Sequence, residues 1–212
     1  MSLFDYLVQN RADVLLRSLQ HVGLVLISVG VAVAIGIPLG VLITRRPRLK
    51  GPVLAVANVV QTIPSLALFG FLLAVPFIGL GARNAIIALV VYSLLPIIRN
   101  TYTGVTGVDP AVREAARGMG MTDWQLLRIV ELPLAAPVVL AGVRVAAVVA
   151  VGIATIAAAI GAGGLGVFIF RGLSMVDNGV IMAGAVPAAA LALIVDGGLH
   201  VIERRLDWRV ER

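Results

Sequence analysis

Cysteine is absent from the 212-residue chain, which excludes disulfides and thiolate metal sites. Histidine occurs only at His21 and His200. With no HExxH and no nucleophile-elbow pattern, the convergent groups of a membrane enzyme or a metal centre are lacking. A phosphate loop needs GxxxxGK[ST] ahead of a helix; that pattern is missing, so the chain is not expected to bind ATP or any other cofactor itself. Charge is scarce as well. Only 13% of residues are Asp, Glu, Lys or Arg, where a soluble domain carries about a quarter.

Apolar residues fill the space that these absences leave. They make up 60% of the chain, and the mean hydropathy is +1.04. A soluble fold of this length cannot hide so much apolar surface, so lipid is the expected solvent. Five stretches approach the roughly 20 apolar residues that a membrane helix needs: about 21–43, 52–75, 82–98, 134–160 and 180–202. Pro38, Pro64, Pro96 and Pro187 fall inside them, which membrane helices tolerate because neighbours satisfy the freed backbone groups. No internal repeat or linker divides the chain, so residues 1–212 read as one all-α transmembrane domain.

The formal charge of +6 would suggest nucleic acid in a soluble protein. Here the basic residues sit between apolar runs, so they report topology instead. Arg45, Arg46, Arg48 and Lys50 follow the first span. Arg99, Arg113, Arg117 and Arg128 follow the third, and Arg204, Arg205, Arg209 and Arg212 form the tail. Five spans put all three groups on one side, so the N-terminus is expected outside and the C-terminus in the cytoplasm. Trp124 and Trp208 then both lie on the cytoplasmic side, and no aromatic cage for a quaternary ammonium solute is visible in the spans. The opening MSLFDYLVQNRADVLLRSLQ has mixed charge and no small-residue cleavage site, unlike a secretory signal. Its apolar spacing predicts an amphipathic helix over 2–20 lying along the interface.

Residues 99–133 are the longest polar connection. Asp109-Pro110 is a helix start, with a side-chain acceptor followed by a residue suited to the first turn. Gly118 and Gly120 end or bend that helix, and Thr122-Asp123 caps a second one running to about Val130, before Pro133 opens the fourth span. A short helix at the membrane surface with Ala115, Ala116, Gly118 and Gly120 as a small face, and Arg113 and Glu114 as charges at its rim, fits a groove in a partner.

Glu114-Ala115-Ala116, three residues, Gly120, nine residues, Val130, one residue, then Leu132-Pro133 resembles the EAA motif of permease subunits of binding-protein-dependent ABC importers, with Val130 where Ile is usual. The resemblance implies a five-span importer core like that of methionine permeases, in a bacterial or archaeal cytoplasmic membrane. It implies that this loop is the coupling helix, with Glu114, Ala115, Ala116, Gly120, Leu132 and Pro133 forming or bracing the contact with an ATPase subunit. It also implies the partners: ATPase subunits that bind ATP and magnesium, a second permease chain, an external solute-binding protein and membrane lipid, with no nucleic acid. QTIPSLALFGFL at 61–72, YSLLPIIRNTYTG at 92–104 and ATIAAAIGAGGLGVFIFRGL at 154–173 look like the osmoprotectant branch, which handles glycine betaine, carnitine and choline. The same machine for methionine or another amino acid is the alternative. A channel or scaffold would not need a glycine-broken docking helix.

Three further features invite assignments. Asn58, Gln61, Thr62 and Ser65 share one face of the second span; they line the solute path or bond helix to helix. Gly161, Gly163, Gly164 and Gly166 form an outer gate or a tight turn. Arg144 and Asp196 fall at matching depths and are expected to pair, because either alone is costly in lipid; His200, one turn from Asp196, is in reach of them.

Overall fold

A computed structural model describes the backbone of residues 3–210 and the side chains of residues 6–206; the interfacial assignment at Ser2 and the tail assignments at Trp208, Arg209 and Arg212 lie outside these. The described chain is helical: α1 (Leu3–Gln9), α2 (Arg11–Arg45), α3 (Pro47–Thr62), α4 (Ser65–Leu73), α5 (Ala82–Thr106), α6 (Pro110–Gly118), α7 (Asp123–Gln125), a π-helical segment (Leu126–Glu131), α8 (Leu132–Ile156), a 3-10 turn (Ala157–Ile160), α9 (Gly166–Met175) and α10 (Asn178–Val210). Four of the helical runs are long and apolar enough to cross a membrane, and the bent pair α3–α4 makes a fifth.

The central helix is α5, flanked by α2 and α8. Its Leu89 and Ile97 are fully buried, as is Phe69 of α4. Small residues let these helices approach closely, as membrane helices require in the absence of a hydrophobic drive between them. A Cβ at Gly142 of α8 would stand 2.5 Å from Asn100 Cβ and 2.7 Å from the Pro96 carbonyl oxygen of α5. By contrast α3 fully buries no residue within the subunit, although Val53, Leu54, Ala57 and Val60 are half-buried, so much of its surface is left for lipid or another chain.

Four expected boundaries change. Residues 11–20 do not form a separate helix; they are the first turns of α2, whose 35 residues span about 52 Å at 1.5 Å per residue. Tyr6 of α1 packs edge-on against Phe168 of α9, with Leu7 and Val14 beside them, so the apolar spacing of this segment serves packing within the protein. The second span is broken: Ile63 is extended (φ −72°, ψ 125°), Pro64 caps α4, and α3 and α4 meet at 99°. A residue before proline is driven out of the helical region. The third helix runs on past residue 98 to Thr106. The fourth begins at Asp123 and runs unbroken to Ile160, 38 residues in all. Pro133 therefore does not restart a helix. The π turn ahead of it uses wider hydrogen bonding, with Leu132 N–H donating to the Leu127 carbonyl, and so carries the chain into a proline that has no N–H to give.

Asn84 holds the outer turn after α4. It is fully buried and its amide donates to the carbonyls of Phe69 (3.1 Å) and Gly79 (3.0 Å). Nothing in the local sequence marks it.

If the α5–α8 approach is as tight as described, Gly142→Val should overpack it at a cost of about 1–3 kcal/mol. The expected reading is a clearly lower thermal midpoint by size-exclusion in detergent, with Gly152→Val, which meets nothing within 4 Å, unchanged. Equal midpoints for both variants would refute the close contact.

Candidate coupling element and solute path

α6 forms as its sequence directs. Asp109 Oδ1 accepts from the Ala111 N–H at 2.8 Å. Gly120 takes φ +82°, and the Met121 N–H reaches back to the Ala116 carbonyl at 3.2 Å, a glycine-terminated end that satisfies free carbonyls. Thr122 and Gln125 then form a capping box. On this element Glu114, Ala115 and Gly118 are exposed while Ala116 is buried. Leu132 is half-buried and Pro133 exposed, both directly after the π segment. The exposed Glu114–Ala115 side is thus available to another chain, and Ala116 seats the helix on its own subunit.

Arg113 departs from expectation. It is turned inward: its guanidinium donates to the Val105 carbonyl at the end of α5 and lies 3.4 Å from Glu131 Oε1. Glu131 also pairs with Arg45 at the end of α2, with Arg45 Nη1 3.4 Å from Oε1. The Glu131 side chain is only 1% exposed. A carboxylate removed from water in this way is retained because two guanidiniums meet it. It occupies the variable position between Val130 and Leu132, so the motif spacing passed over it.

Of the polar residues assigned to the second span, Gln61, Thr62 and Ser65 line a cavity of about 560 Å³ at the α3–α4 break, together with Tyr92, Arg99 and Asn100 of α5 and Val145 and Val149 of α8. Asn58 is not among them; it is exposed one turn away. The break separates Ser65 from the helix that carries the other three. Gln61 Nε2 donates to the Tyr92 carbonyl at 2.9 Å, and the Tyr92 hydroxyl donates to the Ile63 carbonyl, so the cavity wall is pinned at the kink.

The glycine segment is packed rather than open. Gly163, Gly164 and Gly166 are buried, and only Gly161 is exposed. Gly161, Gly163 and Gly164 all have φ near +80° (79°, 81° and 78°), which side chains avoid. The Gly164 N–H donates to Gln20 Oε1 and the Leu165 N–H to His21 Nδ1, both at 3.3 Å. His21 Nε2 meets the Val151 carbonyl at 3.1 Å, so a neutral ring with its proton on Nε2 satisfies both contacts.

Arg144 Nε lies 3.7 Å from Asp196 Oδ1, and Nη1 lies 3.4 Å from Glu203 Oε2 and 2.8 Å from His200 Nδ1. Three side chains of α10 thus face one arginine of α8. Glu203 was not foreseen as one of them. Among the described residues, no group of three or more His, Cys, Asp or Glu is placed to hold a metal.

The family described as the inner membrane component of binding-protein-dependent transport systems matches residues 36–208. This chain belongs to that family. The family segment covers both the coupling element and the cavity. A carnitine transport permease of Listeria monocytogenes is 44% identical over 211 residues, 100% of this chain and 96% of the relative. A glycine betaine/carnitine/choline transport system permease of Bacillus subtilis is 49% identical over 207 residues, 97% of this chain and 89% of the relative. Among solved structures, an inward-facing methionine ABC transporter superposes with a TM-score of 0.81 at 26% identity, covering 91% of this chain and 96% of that one. The chain is therefore a multi-pass permease subunit of a binding-protein-dependent transport system.

In this permease, Glu131→Ala would leave two guanidiniums without their partner, a loss that costs several kcal/mol in a buried pair. Hydrogen–deuterium exchange across residues 108–125 is expected to quicken at least about tenfold, while the middle of α5 keeps its protection. Unchanged exchange over 108–125 would mean that the carboxylate does not hold α6.

Proposed function

We propose that this subunit imports small osmoprotectants, namely glycine betaine, carnitine, choline or a close relative, across the cytoplasmic membrane. The reading rests on identity of 44–49% along nearly the whole chain with permeases named for those solutes. The N-terminus lies outside and the C-terminus in the cytoplasm, in keeping with the three basic segments. Two such permease chains, identical or similar, pair with two ATPase subunits that bind ATP and magnesium, and an external binding protein delivers the solute. Glu114, Ala115, Gly118 and Gly120 on the exposed side of α6 meet the ATPase, while Leu132 and Pro133 brace the turn behind them. The cavity bounded by Gln61, Thr62 and Ser65 belongs to the solute path. The glycine loop, Gly161–Gly166, buried at all its glycines but Gly161, anchors the outer end of α8 and forms the fixed side of an outer gate. Arg144 and Asp196 carry a structural ion pair.

ATP-dependent uptake of labelled glycine betaine, carnitine and choline into vesicles holding the complete transporter tests this. Uptake of at least one is expected, and Glu114→Lys should abolish it with the subunit still in the membrane. Full uptake by Glu114→Lys would refute the docking role. Uptake of methionine in place of all three would keep the importer and discard the solute class.

A further inference from the structure

Arg99 is the one charged residue lining the cavity at the α3–α4 break. It stands seven residues before the end of α5, about 10 Å up the helix from that end, and it has no hydrogen bond or ion pair to any described residue. Its side chain is exposed in the single subunit, so a group entering the cavity can reach it. No carboxylate lines this cavity to neutralise it. Its neighbours are also donors with capacity to spare. The amides of Gln61 and Asn100 each commit one N–H, to the carbonyls of Tyr92 (2.9 Å) and Pro96 (2.8 Å), and each retains a second. The one aromatic ring present, Tyr92, is not a cage. The cavity is thus equipped for an anionic group and unequipped for a quaternary ammonium.

We propose that Arg99 is the carboxylate-contacting residue of the translocation path, with Gln61 and Asn100 as supporting donors, so that this permease favours zwitterionic solutes with a carboxylate over the bare cation choline. The inference rests on the osmoprotectant reading given above and sharpens it: glycine betaine and carnitine carry the group that Arg99 receives, whereas choline brings only a positive charge toward another.

The test uses the complete transporter in vesicles with labelled glycine betaine, carnitine and choline, comparing wild type with Arg99→Gln and Arg99→Lys. The glycine betaine-to-choline and carnitine-to-choline uptake ratios are expected to fall about tenfold in Arg99→Gln, the scale of one hydrogen bond to a charged group, and to stay near wild type in Arg99→Lys. Unchanged ratios in Arg99→Gln, or loss of all three solutes alike, overturn the carboxylate contact. A wild type that imports choline alone overturns it while leaving the osmoprotectant reading in place. A wild type that imports none of the three overturns that reading and this inference with it.

Discussion

The end of the subunit that carries α6 is organised around one buried carboxylate. Glu131 meets Arg45 from α2 and Arg113 from α6, and it ends the π segment that leads into α8. Without that convergence the three elements have no common point. α6 buries only Ala116 against its own subunit, so apolar packing alone gives it little hold. A charge pair shielded from water is directional in a way that apolar contact is not. It fixes the orientation of α6 relative to α2 and α8, so a displacement of α6 is passed to both. Arg113 extends the same linkage by donating to the Val105 carbonyl of α5.

At the other end a neutral network does comparable work. Gln20 and His21 of α2 receive two backbone N–H groups from the glycine segment, and His21 reaches the Val151 carbonyl of α8. Left-handed glycines allow the loop to come close enough for these bonds. His21 and Arg45 are 24 residues apart on one helix, about 36 Å, so α2 is tied to α8 at both ends and acts as a beam between them. An outer gate built here would move with α2 and α8 as a body.

Composition made the membrane environment legible, because it is a sum over many residues. The coupling element was legible because its caps and glycine stop are local: Asp109, Gly120 and Thr122 act on backbone groups within a few residues. What escaped depended on partners distant in sequence. Arg113 and Glu114 are adjacent and look alike as rim charges, yet one turns inward to a carboxylate 18 residues on. Glu131 itself sat in a position where the motif allows any residue. The apolar face of residues 2–20 gave the right amphipathicity and the wrong neighbour, since periodicity does not distinguish a membrane surface from α9 and α10. Pro64 broke its helix and Pro133 did not. The π turn before Pro133 is a backbone adjustment with no residue signature of its own, and Pro38, Pro96 and Pro137 sit inside unbroken helices without one.

Pro64 and Pro133 also shape the two walls of the cavity differently. The break at Pro64 takes α4 away from the line of α3 and opens the cavity beside α5. The continuity through Pro133 keeps α7, the π segment and α8 in one unbroken helical run from Asp123 to Ile160. α5 is shared by both: Tyr92, Arg99 and Asn100 face the cavity, and Val105, one and a half turns below Arg99, receives Arg113 of α6. A tilt imposed at α6 therefore reaches the cavity wall through the helix that carries its polar groups, over about 10 Å of rigid backbone. Relative movement of the two walls is what changes the shape of the cavity.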